Sequence, residues 1–407
     1  MLSIDIVGLT GACSYALDCI EAELVNITNK HGKRVAYISV CMAEYWKIQG
    51  DELQDLAMCA LLHDNALTQY ISEELKKDSV IDLKKDLSEE KTNLHCIYGE
   101  KNITKLPFKT DVSNVILYHH EHADGTGPFQ KKWNEIPLFA RIIHLADIID
   151  IIRNSIDSDD NSWDFMCQYL SKNKDSLFDS ECVNAFLHVF TQESFMCLSD
   201  DSFETKLWEA IPREKMVFDW KMCKDVADFF AKIVDYKSSF TSRHSIGVAE
   251  KASMLAQYMG YDSIAVQKMY LAGALHDIGK MAVGNEILEK PDKLTDDEFS
   301  KMKNHAGYTY LILSEVNDFE EIRDWAAFHH EKLNGKGYPF GKTAAELNES
   351  ERMMACVDIY QALTEDRPYK KGLSHEKTCD ILDDMAQKDF IDSDISKIIR
   401  ECFGRNR

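Results

Sequence analysis

The chain has 407 residues, 12 cysteines and a formal net charge of −22. This length favours two domains, and scattered cysteines without a Cys-x-x-Cys pair argue against a disulfide framework or a zinc ribbon. So acidic a surface disfavours nucleic-acid polymers and anionic membranes. The sequence also has no apolar stretch of about 18 residues that would span a bilayer. We therefore expect a cytoplasmic protein that binds neither nucleic-acid polymers nor membranes.

Histidines divide the chain into two matching halves. Ten of the 14 histidines form two sets with nearly constant offsets, and an aspartate follows each set. The pairs are His31 with His244 and His63 with His276 at 213 residues, His95 with His305, His119 with His329 and His120 with His330 at 210, and Asp147 with Asp358 at 211. So long a period indicates a duplicated domain rather than a short solenoid repeat. With a boundary near Pro212, we expect domains at 1–212 and 213–407.

Apolar spacing predicts helices in both halves. The first helix face is Val35, Ile38, Met42 and Tyr45, and the matching face in the second half is Val248, Ala252, Leu255 and Ala256. The apolar segment 269–275 leads into His276 and Asp277, which places this pair near a helix end. No alternating strand pattern is evident, and only 7 prolines interrupt the chain. We expect an all-α protein, because few prolines permit long helices.

The repeated residues are those of a metal centre, since histidine and aspartate supply ligands suited to Fe, Mn or Zn. Any one of them alone would more often be structural, so the argument rests on the set. The candidate ligands of the second half are His244, His276, Asp277, His305, His329, His330 and Asp358. A second candidate site in the first half comprises His31, His63, Asp64, His95, His119, His120 and Asp147. Seven ligands suit two ions with Asp277 between them, and such pairs support in-line phosphodiester hydrolysis.

Three motifs carry a family resemblance: HDIGK at 276–280, HHEKLNGKGYPFG at 329–341 and ALTEDRPYKK at 362–371. With them the second half resembles the HD-GYP subgroup of the HD metal-dependent phosphohydrolases. The resemblance implies two tandem HD-type helical domains and two divalent ions, Fe or Mn rather than Zn. It also implies a cyclic-dinucleotide phosphodiesterase of bacterial second-messenger signalling, with cyclic di-GMP cleaved to linear pGpG as the first expectation. Hydrolysis of another nucleotide, including 3′,3′-cGAMP, and a non-catalytic cyclic-dinucleotide receptor stay open as alternatives, as does a homo-oligomer.

The resemblance also implies roles for individual residues. Asp277 and Lys280 correspond to the catalytic residues, and Lys280 to the lysine that contacts the scissile phosphate. The substrate-binding residues that it implies are Lys280, Gly337, Tyr338, Arg367 and Lys370. Among these, an arginine fork can hold two phosphate oxygens.

The sequence departs from the family at a few positions. Gln361 stands where the family often has an aspartate, and Asp150 occupies that place in the first half. Phe240 replaces the glutamate of members with a third metal, so we expect two ions and a linear dinucleotide as the product. In the first half, Leu67 replaces the lysine and the arginine-proline-tyrosine motif is missing. We therefore expect the first half to bind metal without turnover.

Overall fold

The computed structural model describes residues 1–25, 30–73, 89–155, 162–237, 244–288, 290, 292–366 and 371–404. Most of these residues are helical, which confirms the all-α class. The chain divides into two compact units: the N-terminal unit, Ile6–Glu214, and the C-terminal unit, Lys215–Arg407 together with Met1–Asp5. Phe240 and the expected substrate residues Arg367 and Lys370 lie outside the described residues.

Two short strands join the first residues of the chain to the C-terminal unit. Leu2–Ile4 pairs antiparallel with Met216–Phe218, and Leu2 lies opposite Phe218. Leu2 and Ile4 are buried while Ser3 is exposed, as the two-residue period of a strand requires. The sequence showed no strand because an alternation over three residues is too short to distinguish from chance.

The N-terminal unit is a helical array. Its α-helices are Ile6–Val25, His31–Ala43, Gly50–Leu61, Leu67–Glu73, Glu89–Ile103, Leu138–Ser155, Ser162–Lys172, Ser180–Val189, Gln192–Met196 and Ser202–Ala210, with 3₁₀ turns at Glu44–Trp46, Trp133–Glu135 and Cys197–Ser199. Helix His31–Ala43 is central, since it packs against Gly50–Leu61, Leu138–Ser155 and Ser202–Ala210.

The predicted apolar face of this central helix is largely correct. Val35, Ile38 and Met42 are fully buried. The prediction that Tyr45 belongs to this face is wrong, because the helix ends at Ala43 and Tyr45 is 42% exposed in the following 3₁₀ turn. A helical period loses its meaning once the backbone tightens into a 3₁₀ turn.

The C-terminal unit contains a second set of helices. They are Trp220–Lys237, His244–Tyr258, Ser263–Leu275, Asn285–Leu288, Asp296–Leu313, Glu320–Ala327, Glu349–Thr364, His375–Gln387 and Ser393–Gly404, with a 3₁₀ segment at Ile278–Ala282. Helix His244–Tyr258 packs against Ser263–Leu275 and Glu349–Thr364, and the 3₁₀ segment packs against Asp296–Leu313. In the described part of the chain, no helix is long and apolar enough to cross a membrane.

Side-chain caps determine where the ligand-bearing helices of this unit begin. The Asp262 carboxylate accepts hydrogen bonds from the backbone of Ile264 and Ala265, which starts helix Ser263–Leu275. Thr295 and Asn348 form capping boxes at the starts of the two later helices. Each cap satisfies backbone N–H groups that a helix leaves unpaired. Helix Ser263–Leu275 ends at the His276 cap, which agrees with the predicted place of the His276-Asp277 pair.

Candidate metal centres

The seven predicted ligands of the C-terminal unit come from separate elements and lie together. His244 and Asp358 face each other from two helices, with Nε2 and Oδ1 3.1 Å apart. Three groups have donor atoms close enough to share one ion: His244, His276 and Asp358; His276, Asp277 and His329; and His305, His329 and His330. All are buried except His330, which is partly exposed. Such overlapping groups suit two adjacent ions rather than one.

Asp277 stands between these groups. Its Oδ2 lies 3.1 Å from Nε2 of His276, whereas its Oδ1 lies 3.5 Å from Nε2 of His305 and 3.9 Å from Nε2 of His329. The two carboxylate oxygens therefore face different histidines, which is the arrangement of a bridging ligand.

Backbone carbonyls set the direction of three ligand histidines. Nδ1 of His276, His305 and His329 donates to the carbonyl three residues earlier in the chain, at 2.7, 2.7 and 2.6 Å. Because a carbonyl oxygen only accepts, Nδ1 carries the proton and the lone pair of Nε2 points into the centre. The chain thereby orients these imidazoles for a metal ion.

Burial and neighbouring charges hold most of the centre in its metal-binding protonation state. Burial lowers the pKa of His305 to about 3 and also lowers the pKa of His329 and His330. Burial alone would raise the pKa of Asp277, but His276 and Lys280 outweigh it and hold that pKa well below its usual range. At neutral pH these histidines are neutral and this carboxylate is charged, as metal ligation requires.

Glu365 contacts His244, which is the first of the seven ligands in the chain. Nδ1 of His244 lies 3.0 Å from Oε2 of Glu365, while Nε2 faces Asp358. Burial would lower the pKa of His244, but hydrogen bonds to these two carboxylates outweigh it and raise the pKa to about 9. Gln361, the departure from the family pattern, instead accepts a hydrogen bond from Lys251 at 2.6 Å. Glu365 thus makes the histidine contact that Asp150 makes in the N-terminal unit, where its Oδ2 lies 2.8 Å from Nδ1 of His31.

The predicted substrate residues that the structure describes lie at the same centre. Nζ of Lys280 donates to Oδ2 of Asp277 at 2.5 Å. The Tyr338 ring packs against His330, with ring centroids 4.7 Å apart. A Cβ at Gly337 would lie 2.5 Å from Cα of Glu331, so only glycine fits this approach.

The glutamate that follows each histidine pair shapes this loop. The Glu331 carboxylate accepts hydrogen bonds from the backbone N–H groups of Phe340, Gly341 and Lys342 at 2.7 to 3.1 Å. Glu121 accepts equivalent bonds from the backbone N–H groups of Phe129 and Lys131 in the N-terminal unit. The repeated glutamate is therefore structural.

A cavity of about 670 Å³ adjoins the C-terminal centre. Gly247 and Gln361 line it from the helices that carry His244 and Asp358. Its charged lining residues are two lysines and three carboxylates: Lys232, Lys251, Asp228, Asp235 and Glu250. Its size lies within the range of small-molecule sites.

The N-terminal unit gathers its seven predicted ligands in the same way. Asp64 again has one oxygen toward each group: Oδ2 lies 3.6 Å from Nε2 of His63, and Oδ1 lies 3.3 Å from Nε2 of His95 and 3.6 Å from Nε2 of His119. His31, His63 and Asp147 form one candidate group, in which Nε2 of His31 is 3.3 Å from Oδ1 of Asp147. Leu67, at the lysine position, begins a helix and supplies no charge.

Cys96 belongs to the second candidate group of the N-terminal unit, together with His95, His119 and His120. This fully buried thiol lies 3.5 Å from Nε2 of His95, and its donor atom lies within 4.8 Å of those of His95, His119 and His120. Burial would raise the pKa of the thiol, but His119 and His95 outweigh it and lower the pKa to about 6.

Both centres contain buried donor atoms that a metal ion would satisfy. Among the described residues, Nε2 of His276 in one centre and Nε2 of His63 and of His119 in the other make no hydrogen bond. Buried polar atoms without partners are rare and costly. Together with the histidine and carboxylate donor set, they show that the residues fit divalent ions.

The sequence pattern of the HD domain family matches residues 18–182 and 228–395, more than half of the chain. The chain belongs to the HD domain family. Its motifs and relatives place it in the HD-GYP subgroup. Because the family pattern matches twice, it confirms the duplication predicted from the histidine repeat and the two tandem HD-type domains implied by the resemblance.

Named relatives cover different shares of the chain. The 3′3′-cGAMP-specific phosphodiesterase 1 of Vibrio cholerae is 27% identical over 403 residues, which are 94% of this chain and 88% of that protein. Phosphodiesterase 3 of that specificity and organism is 30% identical over 74% of this chain and 65% of its own length. A cyclic di-GMP phosphodiesterase of Pseudomonas aeruginosa is 41% identical, over only 33% of this chain and 32% of its own length.

A solved structure shares the fold over nearly the whole chain. The crystal structure of a cyclic GMP-AMP specific phosphodiesterase of Vibrio cholerae superposes with a TM-score of 0.67 and 24% identity, covering 99% of this chain and 98% of that one. At this identity the likeness concerns the fold alone.

The sequence missed two residues of these centres. Glu365 lies within the quoted motif at 362–371, but no role was assigned to it, because its contact with His244 spans 121 residues. Cys96 directly follows a predicted ligand, and the mismatch with Ala306 at the equivalent place of the other half was the available signal.

Proposed function

We propose that the C-terminal unit is a metal-dependent cyclic-dinucleotide phosphodiesterase. The observation that carries the proposal is the position of Asp277, whose two oxygens face separate histidine groups and whose Oδ2 also accepts from Lys280. Two bound divalent ions would neutralise a phosphate and lower the pKa of a nucleophilic water. The all-nitrogen and oxygen donor set suits Fe or Mn.

The chain itself would perform three tasks in this reaction. The backbone carbonyls hold the imidazoles in one tautomer, and Asp277 keeps the two ligand groups together. Lys280 supplies a cation beside the bridging carboxylate, where it can offset the negative charge that develops on the phosphate. We propose that Arg367 and Lys370 hold the other phosphate, as the family resemblance implies.

We propose 3′3′-cGAMP as the preferred substrate. The sequence analysis put cyclic di-GMP first, but the relatives that match most of this chain are named 3′3′-cGAMP-specific phosphodiesterases. A relative named for cyclic di-GMP matches only a third of the chain. With two ions, we expect the product to be the linear dinucleotide.

The non-catalytic receptor loses its main support. That alternative stayed open because Gln361 replaces a second carboxylate near the ligands. Glu365 makes the missing contact with His244, so the first ligand is oriented as it is in the other unit. The N-terminal unit, with Leu67 at the lysine position, is the unit that we propose to bind metal without turnover.

The test uses a matched pair of variants in Mn- or Fe-loaded protein with a panel of cyclic dinucleotides. Asp277→Ala should abolish hydrolysis, whereas Asp64→Ala should retain it. Wild-type protein should cleave 3′3′-cGAMP faster than cyclic di-GMP and release a linear product. Binding without cleavage would contradict the enzyme proposal, and loss of activity in folded Asp64→Ala protein with a loaded C-terminal centre would contradict the division between the units.

A further inference from the structure

The N-terminal centre contains a donor that the C-terminal centre lacks. Cys96 follows the ligand His95 on helix Glu89–Ile103, and its thiol is completely buried. Its Sγ lies 3.5 Å from Nε2 of His95. The equivalent position after His305 is Ala306, which offers no donor. A buried thiol can also be an inert core residue. The position of Cys96 relative to the histidines distinguishes a ligand from a core residue.

Two further observations mark this place as a ligand site. The donor atoms of His95, Cys96, His119 and His120 all lie within 4.8 Å of one another. Nδ1 of His119 donates to the carbonyl of Ile116 at 2.6 Å, so Nε2 of this fully buried ring points into the cluster. Among the described residues that Nε2 makes no hydrogen bond. A thiol with an orphaned imidazole nitrogen beside it fits a shared cation better than a packed core.

We infer that Cys96 is a metal ligand and that the N-terminal unit holds a thiolate-ligated Zn²⁺ ion with His95, Cys96, His119 and His120. Sulfur and imidazole nitrogen together are the donors that select zinc, whereas nitrogen and oxygen sets suit Fe and Mn. The thiol gives up its proton when the ion binds. The two units of this chain would therefore carry ions of different chemistry.

This ligand set also closes the coordination sphere. These four donors are enough for a tetrahedral zinc ion without Asp64, whose Oδ1 also faces this group, 3.3 Å from Nε2 of His95. Such closed sites are structural, while catalytic sites keep a position open for water or substrate. The C-terminal counterpart offers three histidines, His305, His329 and His330, as its corresponding group. Cys96 therefore adds a second reason, besides Leu67, to expect no turnover in the N-terminal unit. The inference stands whether or not the C-terminal unit proves to be a phosphodiesterase.

Cobalt substitution tests the inference without using activity. Metal-free full-length protein is titrated with Co²⁺, and the near-ultraviolet sulfur-to-cobalt charge-transfer band is recorded. In the described residues, none of the candidate groups in the C-terminal unit contains a cysteine, so the band reports on the N-terminal unit. The wild type should show the band, and Cys96→Ser should lose it while retaining cobalt at the C-terminal centre.

Cys167→Ser is the matched control, since Cys167 is a cysteine of the same unit outside the cluster. It should keep the band. Cys96→Ala serves as a second variant if the serine variant does not fold, and the wild-type spectrum alone also decides. Absence of the band in wild type, or its persistence in either folded Cys96 variant, would overturn the inference.

Discussion

Replacing Glu365 tests whether its hydrogen bond positions His244 for metal binding. The bond joins Oε2 to Nδ1 at 3.0 Å, and the two side chains are only 13% and 6% exposed. Water therefore screens the pair little. Hydrogen bonds to charged groups contribute about 1.5–3 kcal/mol, and loss of a residue that orients a metal ligand costs about 10- to 100-fold in metal affinity or activity. We expect Glu365→Ala to lose about 10- to 100-fold in metal affinity. Glu365→Gln keeps a hydrogen-bond acceptor and should lose less affinity.

The assay measures Mn²⁺ affinity by chelator competition, and kcat and KM at limiting and saturating metal. Saturating metal should restore much of the activity of Glu365→Ala, because the ligands themselves remain. Gln361→Ala is the control, since its side chain bonds Lys251 rather than a ligand. Gln361→Asp in the Glu365→Ala background recreates the arrangement of Asp150 and should recover affinity. Unchanged metal affinity in Glu365→Ala would refute the reasoning.

Three further predictions concern substrate binding, the loop and metal. Arg367→Ala should weaken substrate binding by about 1.5–3 kcal/mol, measured as a higher KM, with metal content unchanged. An unaltered KM would contradict the substrate role of Arg367. Gly337→Ala should raise KM and lower Tm, because the new Cβ would lie 2.4 Å from the backbone N of Lys332 and overpacking costs about 1–3 kcal/mol. An unchanged Tm in calorimetry would contradict this prediction. Chelator-treated protein should gain about 2.7 kcal/mol of stability for each site that Mn²⁺ fills at roughly 100 times its Kd, and a Tm insensitive to Mn²⁺ would argue against the C-terminal centre.

The sequence by itself determined the duplication, the helical class and the histidines and aspartates that come together in each candidate centre. These features repeat at a fixed offset, and residue type alone carries their chemistry. Periodicity likewise predicted the buried face of helix His31–Ala43, because one helix follows one period.

Only the tertiary structure decided which neighbours complete each centre. The Glu365 contact with His244, the entry of Cys96 into the histidine cluster and the pairing of Leu2–Ile4 with Met216–Phe218 all join elements that local spacing leaves independent. Gln361 is an example. Its side chain fits only because residue 247 is glycine, since a Cβ at that position would lie 2.3 Å from Nε2 of Gln361. Its Oε1 accepts from Lys251, so the side chain does not contact His244. Helix packing determines which side chain reaches a histidine nitrogen, and packing depends on residues far apart in the chain rather than on the motif that contains them.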